Sequence, residues 1–157
     1  MLGSNLRDKK NNLQKASSLL DNKSIKVIKQ SSIYETSPWG KQDQPDFYNM
    51  VLEIKTTLNP EKLLEAVQAI ENTLGRTRDA KWGERLIDID ILLYGNCIVA
   101  SSSLTVPHPE MSKRRFTLEP LVEIAGEVEH PVLRKTIKEL LMICKDTLSV
   151  KKIVNSQ

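Results

Sequence analysis

The sequence is short of several features, and each shortage argues against a class of protein. Its 157 residues include only two cysteines, Cys97 and Cys144, with no Cys-x-x-Cys pair, so neither a disulfide framework nor a zinc site is indicated. No apolar run approaches the roughly 18 residues that a membrane-spanning helix needs. The opening residues Met1–Asn5 lack the pattern of a secretory or transit signal. We therefore expect a cytoplasmic protein with no membrane partner, in which both cysteines are reduced packing residues.

The net charge is also small, and the seven arginines are unevenly placed along the chain. A formal charge of +3 is too small to indicate nucleic-acid binding by itself. Five of the seven arginines fall between Arg76 and Arg115. Because the planar guanidinium matches phosphate geometry, this cluster indicates a small polyphosphate ligand. The chain has no Walker-type glycine-rich loop to bind one.

The length fits one domain over residues 1–157, and apolar periodicity divides it into elements. Asp8 is placed to cap a helix that reaches Leu20, and Asn59 with Pro60 begins a second helix that ends before Gly75. Strands are predicted over 25–34, 47–58 and 87–94, helices over 116–125 and 136–144, and a loop over 38–45.

The segment Ile87–Ile91 alternates isoleucine with aspartate. In a strand, Asp88 and Asp90 would share one face, opposite the isoleucines. Two like charges about 7 Å apart disfavour folding unless a cation neutralises them, and carboxylate oxygens suit Mg²⁺. The same pattern also fits a strand whose outer face is simply solvated, and the pentapeptide alone leaves both interpretations open.

An arginine-rich segment directly precedes this acidic pair. It reads Gly75-Arg76-Thr77-Arg78 and then Trp82-Gly83-Glu84-Arg85. A cationic loop beside two carboxylates is the arrangement that a metal-bound triphosphate requires. The grouping favours the metal-site interpretation over the solvated face.

Taken in order, these and other motifs resemble the 6-hydroxymethyl-7,8-dihydropterin pyrophosphokinase family over nearly the whole chain. The motifs are Gly3-Ser4-Asn5-Leu6, Tyr34-Glu35-Thr36 with Pro38 and Gly40, Asp43-Gln44-Pro45 with Phe47 and Asn49, Gly75-Arg76-x-Arg78, Trp82-Gly83-x-Arg85, Asp88-Ile89-Asp90-Ile91-Leu92 and Thr105-Val106-Pro107-His108-Pro109, followed by Met111, Arg114, Phe116 and Pro120-Leu121. The resemblance implies an α+β, ferredoxin-like antiparallel sheet with helices packed on it. It also implies transfer of the pyrophosphoryl group of ATP to 6-hydroxymethyl-7,8-dihydropterin, giving AMP and the pterin diphosphate in folate biosynthesis.

The same resemblance implies a role for each matching residue. Asp88 and Asp90 would hold two Mg²⁺ ions, and Arg76 and Arg85 would act in catalysis from a mobile lid. Contacts to ATP would come from Gln68, Glu71, Arg78, Trp82, Arg85, Ile91, Thr105, His108 and Arg114. The pterin would contact Thr36, Pro38, Trp39, Phe47, Asn49 and Phe116. The two phenylalanines, the only two in the chain, would stack on opposite faces of the ring. The expected partners are these small molecules, with no nucleic acid, and the expected state is a monomer.

The sequence also departs from the family. The family normally enters this glycine through a short apolar strand, and here only Met1 and Leu2 precede Gly3. We therefore expect a truncated first strand, a slot in the core and marginal stability that native upstream residues would raise. Lys81 and Glu84 replace the usual arginine and proline of the lid.

Two other functions remain compatible with these residues. One is an inactive ferredoxin-like module that keeps the nucleotide pocket without turnover. The other is a nucleic-acid-binding domain of the same broad architecture, which would need exposed aromatics on its strands beside basic residues. Here the arginines surround an acidic pair instead.

Overall fold

The structure is a computed structural model that describes residues 1–40, 42–75 and 85–153. Within those ranges the chain alternates short strands and helices. The strands are β1 (Leu2–Ser4), β2 (Ile25–Gln30), β3 (Tyr34–Thr36), β4 (Phe47–Met50), β5 (Leu52–Thr56), β6 (Asp88–Ile89), β7 (Val99–Ala100), β8 (Thr105–Val106) and β9 (Val150–Lys152). The helices are α1 (Lys9–Leu20), α2 (Pro60–Thr73), α3 (Arg115–Ala125) and α4 (Ile137–Ile143), with a 3₁₀ turn at Met111–Lys113. In the same ranges, each helix is too short or too polar to cross a bilayer.

The strands form one main sheet and two smaller ribbons. The main sheet has the order β6-β1-β4-β3-β9, and its neighbouring strands pair antiparallel. The ribbons are β2 with β5 and β7 with β8. The predicted α+β class with an antiparallel sheet is thus confirmed.

Two predicted strands are each divided in two. The breaks fall at Ser31 and Val51, which lie opposite each other: the Ser31 N–H donates to the Val51 carbonyl at 2.9 Å, and the Val51 N–H donates to Ser31 Oγ at 3.0 Å. Because the serine hydroxyl takes the place of a ladder carbonyl, both strands bend at the same level. On one side of the bend β2 and β5 pair as a ribbon, and on the other side β3 and β4 pair within the main sheet. This pairing depends on a tertiary contact, so local periodicity could not predict it.

The two N-terminal helices begin where their caps predict. Asp8 accepts a hydrogen bond from the Asn11 N–H at 3.1 Å, and Asn59 accepts one from the Lys62 N–H at 2.9 Å. Helix α2 is followed by Gly75 at a φ of 87°, a backbone conformation that favours glycine. These caps orient α2 so that Leu63 and Val67 are buried against the sheet.

The core has two parts, one on each face of the main sheet. Helices α1 and α2 pack Leu13, Leu63 and Val67 against Leu2 and Ile89. On the other face, helices α3 and α4 supply the buried side chains Leu118, Leu121, Ile137 and Leu140. The central strands are therefore covered on both sides, which holds their ends at fixed positions for a site.

The first strand is short, but it is present. Leu2 lies opposite Met50 on β4 and Ile89 on β6, so β1 is internal and paired on both sides. Beyond its N-terminal end, a cavity of about 580 Å³ opens between β5 and residues 90–94. The first strand is three residues long, and a cavity lies where the slot in the core was expected.

Two further expectations are corrected. The predicted strand over 87–94 keeps ladder geometry only at Asp88–Ile89, although hydrogen bonds between Met1 and Asp90 extend the pairing by one residue. Of the two cysteines, both are free thiols, but Cys97 is exposed and so does not serve as a packing residue.

Candidate active site

A second cavity, of about 360 Å³, lies beside β1 and is lined by Met1 and Gly3. The central strands, the loop over 37–46 and the start of α3 all contribute side chains to it. Its lining includes ten residues predicted for the site, namely Thr36, Trp39, Phe47, Asn49, Arg85, Asp88, Asp90, His108, Arg114 and Phe116, together with Met1, Gly3, Ser37 and Gln44. This cavity brings together two arginines, two aspartates, a histidine and three aromatic rings, whereas most residues that line the larger one are aliphatic.

The floor of the cavity is a buried polar pair on neighbouring strands. Asn49 Nδ2 donates to Thr36 Oγ1 at 2.7 Å, and both residues are almost fully buried. A Cβ on Gly3 would lie 2.9 Å from Asn49 Oδ1, so only glycine leaves this amide its place. The register that sets Gly3 opposite Asn49 therefore fixes the orientation of the amide.

One wall is aromatic and cationic. The Arg114 guanidinium carbon lies 4.7 Å from the centroid of the Trp39 ring and 5.8 Å from that of Phe116. Both separations are within the range of cation–π attraction. The contact joins the loop over 37–46 to the start of α3, across the mouth of the cavity.

The opposite end is acidic. Ile87 and Ile89 are buried in the core, while Asp88 and Asp90 both line the cavity, as a two-residue strand period requires. Arg85 Nη1 donates to Asp88 Oδ2 at 2.8 Å. Burial, and after it the charge of Asp88, raise the pKa of the Asp90 carboxyl above its usual value. Ionisation of Asp90 is therefore disfavoured, partly by the charge of its neighbour Asp88.

His108 stands beside this pair as a neutral ring. Burial lowers its pKa, the charge of Asp90 opposes that effect, and Arg114 reinforces it. The Glu110 N–H donates to His108 Nδ1 at 3.2 Å. In the neutral ring the proton is thus on Nε2, which leaves this nitrogen as a hydrogen-bond donor.

Asn5 forms hydrogen bonds both with Arg85, at the acidic end of the cavity, and with the loop over 37–46. Its Oδ1 accepts from the Arg85 N–H at 2.7 Å, and its Nδ2 donates to Gln44 Oε1 and the Pro45 carbonyl, both at 3.1 Å. The side chain is almost fully buried, so these bonds are shielded from water. Asn5 is therefore a positioning residue that had no predicted role.

Known proteins of similar sequence establish the family of this chain. The family model described as 7,8-dihydro-6-hydroxymethylpterin-pyrophosphokinase (HPPK) matches residues 1–126. This chain belongs to the HPPK family. It is 46% identical over 158 residues to the 2-amino-4-hydroxy-6-hydroxymethyldihydropteridine pyrophosphokinase of Bacillus subtilis, an alignment that covers 99% of this chain and 95% of the relative. Its identity to the enzyme of the same name from Haemophilus influenzae is 47% over 133 residues, covering 83% of this chain and 82% of the relative.

Solved structures with HPPK in their names have a fold similar to that of this chain. A Plasmodium falciparum HPPK-DHPS triple mutant matches with a TM-score of 0.72 at 19% identity, over 90% of this chain. This chain spans 42% of the length of that fused protein. At this identity the match shows the fold alone, which is the predicted ferredoxin-like α+β architecture. With the family shown, the predicted enzyme class, an ATP-dependent pyrophosphokinase of folate biosynthesis, is confirmed, and no finding supports the inactive module.

Several predicted HPPK residues lie away from the smaller cavity's lining. Pro38, Gln68, Glu71, Ile91 and Thr105 do not line it. Glu71 is buried in α2, and its Oε1 accepts from the Ile89 N–H at 2.7 Å, so the carboxylate holds the strand that carries Asp88. Two predicted ATP contacts, Arg78 and Trp82, lie outside the described residues, and so do Arg76, Lys81 and Glu84 of the predicted lid.

Four lining residues had no predicted role. Gly3 and Gln44 belong to motifs that carried the family resemblance, so their presence was a usable signal. Ser37 lies between two predicted residues and carries no pattern of its own. Met1 reaches the cavity only because β1 pairs with β6, which no local feature of the sequence indicates.

Proposed function

We propose that the smaller cavity is the active site, with the pterin and the reacting phosphates of ATP bound side by side. The observation that carries this proposal is that one cavity contains both carboxylates, both phenylalanines and the buried Asn49–Thr36 pair. The carboxylates suit a metal–phosphate group, and the aromatic and amide groups suit a flat, polar-edged ring.

The pterin end consists of Phe47, Phe116 and Asn49. A flat bicyclic ring gains most by burying its faces against aromatic rings and pairing its polar edge with an amide. Asn49 supplies both a donor and an acceptor, and the 2.7 Å bond from its Nδ2 to Thr36 holds it in one orientation. Trp39, on the loop above, would cover the bound ring.

The acidic end fits Mg²⁺. Among the described residues, no three His, Cys, Asp or Glu side chains lie together as a complete metal site. Mg²⁺ is commonly held by one or two carboxylates together with substrate phosphates and water, so Asp88 and Asp90 suffice. The pKa of Asp90 is raised partly by the charge of Asp88, which is the situation that a cation relieves. Bound there, two Mg²⁺ ions would neutralise the charge that develops on the phosphates.

The residues around the acidic end would orient the nucleotide and stabilise its charge. Arg85 and Arg114 present guanidinium groups to the cavity, and His108 presents a neutral ring with a donor at Nε2. In the reaction, the pterin hydroxymethyl oxygen bonds to the β-phosphorus as its bond to the oxygen of the α-phosphate breaks, and AMP leaves. The hydroxyl proton passes to solvent, and the described residues act mainly by positioning.

The test is a product assay with ATP, Mg²⁺ and the dihydropterin alcohol. AMP that forms only in the presence of the pterin supports the proposal. Asp88→Ala and Asp90→Ala should each reduce turnover by at least about a hundredfold while the circular dichroism spectrum is unchanged. Glu127→Gln is the matched control, because its side chain is 85% exposed and it does not line the cavity. Full activity in either aspartate variant would contradict the assignment.

We further propose a single domain over residues 1–157 that acts as a monomer in the cytoplasm. Both thiols are free, which suits a reducing compartment. Light scattering coupled to size exclusion checks the oligomeric state, because a dimer would show twice the mass of 17.8 kDa.

A further inference from the structure

A carboxylate on α3 joins the helix to the strands that it covers. Glu123 Oε2 accepts from the Tyr34 hydroxyl at 2.7 Å. Its Oε1 accepts from the Ser32 N–H at 3.2 Å, from the Ser32 hydroxyl at 2.9 Å and from Lys152 Nζ at 3.3 Å. One side chain therefore links α3 to β3, to the residue two positions before Tyr34, and to β9.

The bond between Tyr34 and Glu123 joins a neutral donor to a charged acceptor. Burial acts to raise the pKa of Glu123, but the bonds from Tyr34, Ser32 and Lys152 outweigh it and lower the pKa, so the carboxyl is ionised. Burial, and after it the bond to Glu123, raise the pKa of the Tyr34 hydroxyl, which therefore keeps its proton. A hydrogen bond with one ionised partner is roughly twice as strong as a neutral one.

Tyr34 lies next to the polar pair on the floor of the smaller cavity. In the ladder between β3 and β4, Tyr34 is opposite Asn49, and Thr36 is the next residue on the same face of β3. Residues opposite each other in an antiparallel pair project to the same face, with Cβ atoms about 4.5–5.5 Å apart. Because all three side chains are buried, a displacement of the tyrosine ring would change the space left for the Asn49 amide.

The start of α3 supplies the facing aromatic wall. Phe116 lies seven residues before Glu123, which is about two helical turns or roughly 10 Å along the axis. Pro120 lies between them and has no N–H to donate to the Phe116 carbonyl. This part of the helix is thus held by fewer helical bonds, so its place above the sheet depends more on contacts such as that of Glu123 with Tyr34.

We propose that Tyr34 and Glu123 are positioning residues for the pterin end of the site. Their bond sets the spacing between Phe116 on the helix and the Asn49–Thr36 pair on the sheet. Neither residue lines the cavity, so both act through residues that do. This role rests on the proposed function, because it takes Phe116 and Asn49 to bind the pterin.

The effect should be selective for the pterin. Asp88 lies on β6, which the order β6-β1-β4-β3 places three strands from Tyr34. At about 4.8 Å per strand, the two backbones are roughly 14 Å apart. Arg114, a predicted ATP contact, is next to the start of α3, so a smaller effect on ATP is expected as well.

The test measures both ligands by titration calorimetry in the presence of Mg²⁺. Tyr34→Phe removes one oxygen and keeps the ring, so the fold is retained. It should raise the Kd for 6-hydroxymethyl-7,8-dihydropterin about tenfold, and the Kd for a non-hydrolysable ATP analogue by less than about threefold. Glu123→Gln should act in the same direction, and the double variant should bind the pterin no more weakly than the weaker single variant, because both changes disrupt one contact.

Thr136→Ala is the control for a general loss of stability. Thr136 caps α4, which packs beside α3 in the same apolar layer, and it does not line the cavity. Its loss should lower the melting temperature by about 2–4 °C and leave pterin affinity unchanged. Equal losses of pterin affinity in Thr136→Ala and Tyr34→Phe would overturn the positioning role, and so would equal losses for the pterin and the ATP analogue in Tyr34→Phe.

Asn49→Ala separates this role from the proposed function. Unchanged pterin affinity in Asn49→Ala would contradict the pterin site itself. Weaker binding in Asn49→Ala together with unchanged binding in Tyr34→Phe and Glu123→Gln would keep the site and overturn the positioning role. Weaker pterin binding in all three variants, with the ATP analogue little affected in Tyr34→Phe, is the expected result.

Discussion

Asp90→Asn is expected to stabilise the metal-free protein while it abolishes activity. Burial, the larger cause, and the charge of Asp88 raise the pKa of the Asp90 carboxyl. A raised pKa means that the folded state favours the neutral carboxyl. The resulting penalty is absent in acid, begins as pH rises through the unfolded pKa, and is complete above the folded pKa. Asparagine has the same shape without the charge, so it removes the penalty at pH 7.

The part of the effect that comes from Asp88 follows from the strand geometry. Alternate residues of a strand lie about 7 Å apart, and two unit charges at that distance repel by about 2 kcal/mol at an effective dielectric constant of about 20. The Met1 amino group, His108 and Arg85 offset part of this repulsion. Because burial adds to the penalty, we expect a net gain of at least about 1 kcal/mol, or about 2–4 °C in melting temperature for a chain of this length.

The assay is thermal and urea unfolding in the presence of EDTA, repeated with Mg²⁺ and a non-hydrolysable ATP analogue. Wild type should gain stability from the added ligands, and Asp90→Asn should not. Asp88→Asn is the matched control. Because Asp88 accepts from Arg85 at 2.8 Å, its neutralisation should lower the free energy of unfolding by about 1 kcal/mol or leave it unchanged. A metal-free Asp90→Asn protein less stable than wild type would refute the reasoning.

Three further predictions concern the surroundings of the site. Trp39→Ala removes the ring whose centroid lies 4.7 Å from the Arg114 guanidinium carbon and should raise the KM for both substrates about tenfold. Trp39→Phe keeps an aromatic ring and should restore most of the affinity. Equal KM values in the two variants would contradict the stacking role. Gly3→Ala places a Cβ 2.9 Å from Asn49 Oδ1 and should weaken pterin binding, measured by calorimetry, more than ATP binding. Burial acts to raise the pKa of Glu123, but hydrogen bonds from a tyrosine, a serine and a lysine outweigh it and lower the pKa. Its stabilising effect is therefore present above the unfolded pKa and lost as pH falls through the folded pKa, so urea unfolding of Glu123→Gln should show a deficit of about 1 kcal/mol at pH 7 that disappears in acid.

Local signals in the sequence predicted the helices well. The side chains of Asp8 and Asn59 cap their helices in the structure, and the stop at Gly75 coincides with a positive φ. Each of these signals acts within four residues, so no tertiary contact is needed to interpret it.

The strands could not be predicted fully from local signals, because their breaks and pairing depend on tertiary contacts. The divisions at Ser31 and Val51 arise because a hydroxyl from one chain segment replaces a carbonyl in the ladder of another. Strand β9 was not predicted, because Val150–Lys152 is short and two of its residues are exposed, and it is ordered by pairing with β3. Register across 20 or more residues depends on loop closure and packing, which a local pattern does not contain.

The same distinction between local pattern and tertiary contact applies to the site. The alternation of aspartate and isoleucine placed Asp88 and Asp90 on one face without any knowledge of the fold. The convergence of Trp39 and Arg114, which are 75 residues apart in sequence, came only from the family resemblance. Asn5 was overlooked because its function is to bond Arg85 and the loop, and an asparagine after a short strand carries no local sign of such bonds.

The two cavities share Met1 and Asp90 in their linings, and this arrangement links stability to function. In the smaller cavity, like charges are held close for a cation, which costs stability until the ligand arrives. In the larger cavity, a mostly aliphatic space of about 580 Å³ leaves helix faces incompletely packed. Because Met1 and Asp90 belong to both linings, filling the larger space should also hold Asp90 more firmly. Ala125→Phe, which places a ring in that space, should therefore tighten metal–nucleotide binding as well as raise the melting temperature. A higher melting temperature with unchanged affinity would show that the two cavities act independently.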